Sequence, residues 1–183
     1  MRTSVRKPGV SKRELWSWAM FDFANSGYTT VVITAIFNAY FVSAVADGAQ
    51  WATFAWTLSL SAAYAIVLLT APLVGAFADQ RGGKTPLLAL TTVACVIGTA
   101  GLALVGPGDL AIAISFLILS NVAFGTGENL IAAFLPELAN EKGLGRVSGL
   151  GWGLGYTGGL ASLAACLAYV TWAQAQGLDA NQF

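Results

Sequence analysis

The chain has 183 residues, of which 56% are hydrophobic and only 10% are charged, and it carries no formal net charge. Soluble domains are usually less apolar and more charged, so this composition indicates a chain surrounded by a lipid bilayer, with no nucleic-acid partner. The sequence contains no histidine. This argues against zinc chemistry and His-based catalytic triads, and we expect neither a metal nor a cofactor.

Five apolar stretches are long enough to cross a hydrocarbon layer of about 30 Å as helices. Strands are not expected, because an open strand edge in lipid leaves peptide groups without partners and the alternation of barrel strands is missing. We therefore predict an all-α polytopic membrane helix bundle over residues 14–172. The predicted transmembrane helices are residues 15–45, 52–78, 86–105, 110–135 and 147–172, between a basic tail of residues 1–13 and an outer tail of residues 173–183.

The positive charges of the chain alternate between the connections. Lys and Arg occur only in the N-terminal tail and in the connections after the second and fourth stretches. The connections around Asp47, Asp109 and Asp179 contain none. Because Lys and Arg stay on the cytoplasmic side, this alternation predicts an N-terminus inside and residue 183 outside.

The first stretch carries polar residues inside an apolar run. At 100° per residue, a polar stripe (Asp22, Asn25, Ser26 and Thr29) lies on one face of the predicted helix. Such residues normally face a bundle interior, a partner or a water-filled path, so Asp22, Asn25 and Thr29 are candidates for contact with a substrate or a proton. A purely structural role, in which Asp22 holds helices together through hydrogen bonds, remains the alternative.

The connection after the second stretch has the sequence GAFADQRGGKTP, residues 75–86. It resembles the signature loop of the major facilitator superfamily, in which a glycine, an aspartate, a second glycine and basic residues stand at fixed offsets. Gly75, Asp79, Gly82 and Lys84 fall on that pattern, whereas Gln80 and Gly83 depart from it. The resemblance implies that the aspartate contacts the N-terminus of a helix from another half of the transporter and stabilises one conformation. The residues expected to take part in gating are Gly75, Asp79, Arg81, Gly82, Lys84, Glu137 and Arg146.

The fourth stretch places Asn121, Gly125 and Glu128 on one face, with Asn129 at its edge. No Lys or Arg lies in any stretch to neutralise Glu128, and a carboxylate in such a place could bind and release a proton during a transport cycle. Asn121, Glu128 and Asn129 are therefore further candidates for the substrate or proton path. The run GTGEN also resembles a turn of intramembrane aspartyl proteases, but those enzymes need two facing aspartates, so we do not expect an enzyme.

The fifth stretch contains a glycine ridge (Gly151, Gly155 and Gly159), with one glycine every fourth residue. Small residues at this spacing allow another helix to approach closely, which predicts helix packing. Tyr156, near the ridge, could instead face a substrate cavity. A non-transporting membrane subunit that packs through this ridge is the alternative function.

Two longer segments narrow the resemblance. WSWAMFDFANSGYTT near the start and FLPELANEKGLGRVSGLGWGLGYTGG at 134–159 look like the branch with the vacuolar amino-acid effluxers linked to autophagy and their bacterial relatives. The resemblance implies a secondary active transporter for a small solute, an amino acid, in a bacterial cytoplasmic membrane. Superfamily members have twelve helices in two halves, so the chain resembles an incomplete N-terminal half whose missing C-terminal helices belong to the same or a partner chain.

Overall fold

A computed structural model describes residues 5–80 and 83–177, which are almost entirely helical. In chain order the helical segments are α1 (Lys12–Gly27), a π-helical segment (Tyr28–Ala35), α2 (Ile36–Tyr40), a second π-helical segment (Phe41–Val45), α3 (Ala52–Gln80), α4 (Lys84–Leu102), α5 (Leu110–Ala132), α6 (Leu135–Leu138) and α7 (Leu144–Ala175). Within the described residues there is no strand, and extended pairing is limited to one isolated bridge between Arg6 and Ala139.

Five helices in this part of the chain are long and apolar enough to cross a membrane. They are Lys12–Val45, Ala52–Gln80, Lys84–Leu102, Leu110–Leu138 and Leu144–Ala175. The shortest has 19 residues, which corresponds to about 28 Å of helix. The all-α fold class with five transmembrane helices is therefore confirmed.

The ends of the helices follow local signals that hydropathy does not contain. Helix α1 begins three residues before the expected Leu15 because Ser11 and Glu14 form a capping box, with Ser11 Oγ accepting from Glu14 N at 3.1 Å. The backbone N–H of Ser11 donates in turn to Glu14 Oε2 at 2.6 Å. Helix α5 ends at Ala132 rather than Leu135, and Pro136 lies in the first turn of the separate helix α6, where a missing N–H costs little.

The π-helical segment Tyr28–Ala35 interrupts the α-helical geometry of the first membrane helix. It contains six consecutive β-branched residues, Thr29 to Thr34, whose side chains crowd the preceding turn of an α-helix. Side-chain hydrogen bonds reach five residues back, from Thr34 Oγ1 to the carbonyl of Thr29 at 2.8 Å and from Asn38 Nδ2 to that of Ile33 at 3.3 Å. Face assignments at 100° per residue therefore hold only as far as Gly27.

The chain divides into two compact units, one formed by Met1–Asn38 with Phe134–Phe183 and the other by Ala39–Ala133. In the first unit α1 packs against α7. The two helices run in the same direction, because Trp18 lies against Gly151 and Thr30 lies against Gly159. This pair of parallel helices positions the polar stripe.

In the second unit α5 packs against both α3 and α4. Small residues permit the contacts: Gly98 lies against Ser120, Gly101 accommodates the ring of Phe116, and Gly125 lies against Val67. The end of the first membrane helix belongs to this unit, where Phe41 and Trp56 have ring centroids 5.3 Å apart. Leu68, Leu69 and Leu73 on α3 are each more than 70% exposed, as expected for a surface that faces lipid.

Candidate functional site

Asp22 lies on the glycine ridge of α7. A Cβ atom on Gly155 would stand 2.8 Å from Asp22 Oδ2 and 2.9 Å from Ser26 Oγ. One turn earlier, a Cβ atom on Gly151 would stand 2.8 Å from Trp18 Cζ3 and 3.7 Å from Asp22 Oδ2. The polar stripe and the glycine ridge, which the sequence suggested as separate features, are thus the two sides of one helix contact.

The same contact continues toward the C-terminal end of α7. A Cβ atom on Gly158 would collide with the carbonyl oxygen of Phe23, and one on Gly159 would stand 2.8 Å from Thr30 Cγ2. Thr30 Oγ1 lies 3.3 Å from the carbonyl oxygen of Gly159, so its hydroxyl can donate across the contact. Sequence reasoning missed Gly158 and Thr30. Thr30 follows Ser26 by four residues, about one helical turn, so ordinary helical spacing could have indicated it as the next residue of the contact.

The hydroxyl groups of the stripe are bonded within their own helix. Ser26 Oγ donates to the carbonyl of Asp22 at 2.8 Å, and Thr29 Oγ1 donates to that of Ser26 at 3.1 Å. Asp22 and Asn25 are both half-buried. Asp22 thus presents a half-buried carboxyl group at a glycine-lined helix contact.

Residues of the signature loop surround a small cavity in the second unit, with a volume of about 80 Å³. Asp79 Oδ1 and Lys84 Nζ form an ion pair at 3.3 Å on its wall; the Lys84 side chain is 20% exposed and that of Asp79 is 70% exposed. The cavity is lined by Ala71, Val74, Gly75, Ala78, Asp79, Lys84, Thr126, Asn129, Leu130 and Ala133. The structure therefore brings Gly75, Asp79 and Lys84 together with Asn129, and adds Thr126, which sequence reasoning missed.

The remaining gating candidates are Arg81, Gly82, Glu137 and Arg146. Arg81 and Gly82 lie outside the described residues. Glu137 and Arg146 are exposed and belong to the first unit, whereas Asp79 belongs to the second. The ion-pair cluster expected among Asp79, Arg81, Glu137 and Arg146 therefore remains a prediction, and the pairing that the structure displays is that of Asp79 with Lys84.

The three polar candidates of α5 have different surroundings. Asn121 is only 1% exposed, and neither its Oδ1 nor its Nδ2 atom has a hydrogen-bond partner among the described residues. Glu128 is half-buried and has an interaction partner within the structure. Asn129 is exposed and lines the cavity, whose wall includes neither Asn121 nor Glu128. This cavity therefore does not bring the three candidates together, and their part in a substrate or proton path remains a prediction.

Tyr156 lies beside the glycine ridge rather than in it. Its side chain is 67% exposed, and its ring packs edge-on against that of Trp152 with 6.0 Å between the ring centroids. No group of three or more His, Cys, Asp or Glu in the described part of the chain is placed to hold a metal ion.

Five apolar helices of membrane length, with glycine contacts between helices within each unit, define an integral membrane protein of the polytopic α-helical class. Residues 6–144 match the family described as MFS/sugar transport protein. This match covers most of the chain, including the signature loop, so the chain belongs to that family of transporters. The resemblance to the major facilitator superfamily is confirmed.

A bacterial relative supports the same family. The chain is 31% identical over 170 residues to a Bacillus subtilis (strain 168) protein named "Uncharacterized MFS-type transporter YxiO". The match covers 90% of this chain and 39% of the relative, so the chain spans about two fifths of the relative's length. No solved structure matches the chain.

Proposed function

We propose that these five helices are part of a secondary active transporter that carries a small solute across a bacterial cytoplasmic membrane by alternating access. The proposal is supported by membership of the MFS/sugar transport protein family and by the Bacillus relative. Family membership favours a transporter over a membrane-embedded enzyme. The remaining helices come from a longer protein or from a partner chain, since the matched part makes up 39% of the relative.

The observation that carries the mechanism is the placement of Asp79 and Lys84 on the cavity wall. The exposed Asp79 carboxylate is free on one side to contact the N-terminus of another helix, while Lys84 holds it from the other side. A carboxylate at a helix N-terminus is stabilised by about 0.3–2 kcal/mol, so making or breaking that contact can bias two conformations. The Lys and Arg residues of the tail and of this connection support a cytoplasmic position for the N-terminal tail and for the signature loop.

We propose Asp22 and Glu128 as the residues that couple transport to protons. Asp22 faces a glycine surface, and no Lys or Arg lies within the expected transmembrane ranges. A carboxyl group in such surroundings can take up a proton on one side of the membrane and release it on the other when a transport cycle exposes it to each side in turn.

An amino acid is the substrate that we propose from the resemblance, while the family description names sugars. Uptake of labelled amino acids and sugars into vesicles containing the complete transporter, with and without a pH gradient, tests substrate and coupling together. Accumulation of an amino acid that depends on the gradient supports the proposal. Accumulation of a sugar alone would show that the substrate is a sugar and not an amino acid. No accumulation of any solute would contradict the proposed transport function.

A non-transporting subunit that offers its glycine ridge to a partner is less well supported. Gly151, Gly155, Gly158 and Gly159 are buried against α1 of the same chain. The ridge is therefore already covered and does not present a free surface to another chain.

A further inference from the structure

Residues 5–7 form a strap that crosses the segment before α7. The backbone N–H of Lys7 donates to the carbonyl of Leu138 at 3.0 Å, and that of Asn140 donates to the carbonyl of Val5 at 3.1 Å. Between these two bonds, Arg6 and Ala139 form an antiparallel bridge. The Arg6 guanidinium also donates to the carbonyl of Val10, which holds the strap close to the start of α1. The sequence indicated only a basic tail here.

Gly143 is the residue that allows the strap to lie so close. It is buried, and a Cβ atom there would collide with the carbonyl oxygen of Val5 and stand 2.9 Å from its Cα and Cβ atoms. Gly145, two residues further on, has nothing within 4 Å of its Cβ position. Gly143 is the buried residue that caps α7 and Gly145 is exposed in its first turn, so only Gly143 is in contact with the strap.

The strap lies at one end of the α1–α7 contact. Few interactions in this contact fix the position of α7 along the axis of α1. Most of the α7 residues that touch α1 are glycines, which allow close approach but have no side chains to interlock with the opposing helix. Across the contact, Ser162 lies against Gly27 and Thr30 Oγ1 lies 3.3 Å from the carbonyl oxygen of Gly159. The strap precedes α1 by four residues, and α7 begins directly after Gly143. A movement of α7 along α1 would therefore have to stretch both backbone hydrogen bonds or push Gly143 into Val5.

We propose that the strap is the axial stop of the α1–α7 pair. While it is closed, the pair keeps the arrangement in which Asp22 lies on Gly155. When it opens, α7 can slide along α1 on the glycine surface. This device does not rest on the proposed transport function, and its test needs no substrate.

Cysteine pairs report the axial position directly. A Cβ atom on Gly27 would stand 3.2 Å from Ser162 Cβ, close to the separation found in disulfides, so Gly27→Cys with Ser162→Cys reports the closed arrangement. Gly27→Cys with the natural Cys166, one turn further along α7, reports a shifted one. Both proteins also carry Cys95→Ala, and the protein with Ser162→Cys carries Cys166→Ala as well, so that each contains two cysteines only. With the strap closed, we expect the first pair to oxidise at least about tenfold faster than the second, the ratio that corresponds to 1.4 kcal/mol.

The test compares Gly143→Ala with Gly145→Ala in both cysteine backgrounds. Gly143→Ala should reduce the ratio of the two rates about tenfold, the size expected for loss of one or two backbone hydrogen bonds. Gly145→Ala should leave it unchanged. Hydrogen exchange at the backbone amides of Lys7 and Asn140 should accelerate in the first variant only. An unchanged ratio in Gly143→Ala, or equal exchange in the two variants, would overturn the proposal.

A second matched pair keeps the test decisive if Gly143→Ala does not fold. Lys7→Pro removes the N–H that bonds to Leu138, while Lys7→Ala removes only the exposed charge and keeps the N–H. The proline variant should lower the ratio of the two oxidation rates, and the alanine variant should not. Equal ratios in these two variants would overturn the proposal as well.

Discussion

Asp22 and Gly155 lie against each other across the α1–α7 contact, with Asp22 Oδ2 only 2.8 Å from the place that a Cβ on residue 155 would occupy. The carboxylate proposed for proton coupling thus owes its position to a missing side chain on the opposite helix. A change on either helix must alter both the packing and the surroundings of the charge.

Gly155→Val should destabilise the protein. The added atoms would meet Asp22 and Ser26, and overpacking of a tight contact typically costs about 1–3 kcal/mol. Thermal unfolding in detergent would measure the effect as a lower Tm. Gly153→Val is the matched control, because Gly153 lies on the same helix with nothing within 4 Å of its Cβ position. Equal Tm values for the two variants would mean that α1 does not pack on the ridge.

Asn121→Leu should raise the stability of the protein. The amide is buried without a hydrogen-bond partner among the described residues, and such a group costs about 1–3 kcal/mol that a leucine of similar shape avoids. Tm in detergent should therefore increase, while solute uptake by the complete transporter should fall if Asn121 belongs to the substrate path. Asn129→Leu, at an exposed position, should change Tm little. A lower Tm for Asn121→Leu would show that the amide is paired in the protein.

Asp79→Asn should impair transport with little effect on stability. A partly exposed ion pair contributes about 0–1 kcal/mol, so Tm should change only slightly. Uptake should fall up to about tenfold, because the bias between conformations is expected to be of the size of a carboxylate–helix interaction. Asp47→Asn provides the control, since Asp47 is an exposed loop carboxylate whose backbone φ of 50° asparagine also adopts readily. Unchanged uptake in Asp79→Asn would remove the gating role.

Glu128→Gln should abolish proton coupling. Glutamine keeps the size of the side chain but cannot release a proton, so uptake should no longer respond to a pH gradient. Asp22→Asn tests the second candidate in the same way. Glu141→Gln, at an exposed turn residue, should leave the pH profile of uptake unchanged. A variant of Glu128 with the normal pH profile would leave Asp22 as the remaining candidate, and normal profiles in both variants would exclude proton coupling through either residue.

Hydropathy was sufficient to predict the fold class, because a span of lipid requires about twenty apolar residues whatever their order. Motif spacing selected Gly75, Asp79 and Lys84 as gating residues; all three line the cavity of the second unit, and their gating role stays a prediction. Both predictions depend on local composition or on fixed offsets within one short segment. Such information is present in a single sequence.

Contacts between distant segments were harder to predict. The sequence identified the polar stripe and the glycine ridge but did not pair Asp22 with Gly155, since nothing in either helix specifies its neighbour. Thr29 was selected from the polar stripe, whereas Thr30, four residues after Ser26, is the residue that contacts α7. The bridge from Arg6 to Ala139 involves backbone atoms only, which leave no pattern in the sequence.

Among the α7 glycines that lie against α1, Gly158 comes nearest, with its Cβ direction aimed at the carbonyl oxygen of Phe23. In glycine that direction holds a Cα–H bond, which is oriented to donate a weak Cα–H···O hydrogen bond to the backbone of α1. Such bonds contribute about 0.5–1 kcal/mol each at helix–helix contacts. An alanine at residue 158 would remove this attraction and would also collide with the carbonyl oxygen of Phe23. The glycine therefore both permits the close approach of the two helices and contributes to the attraction between them.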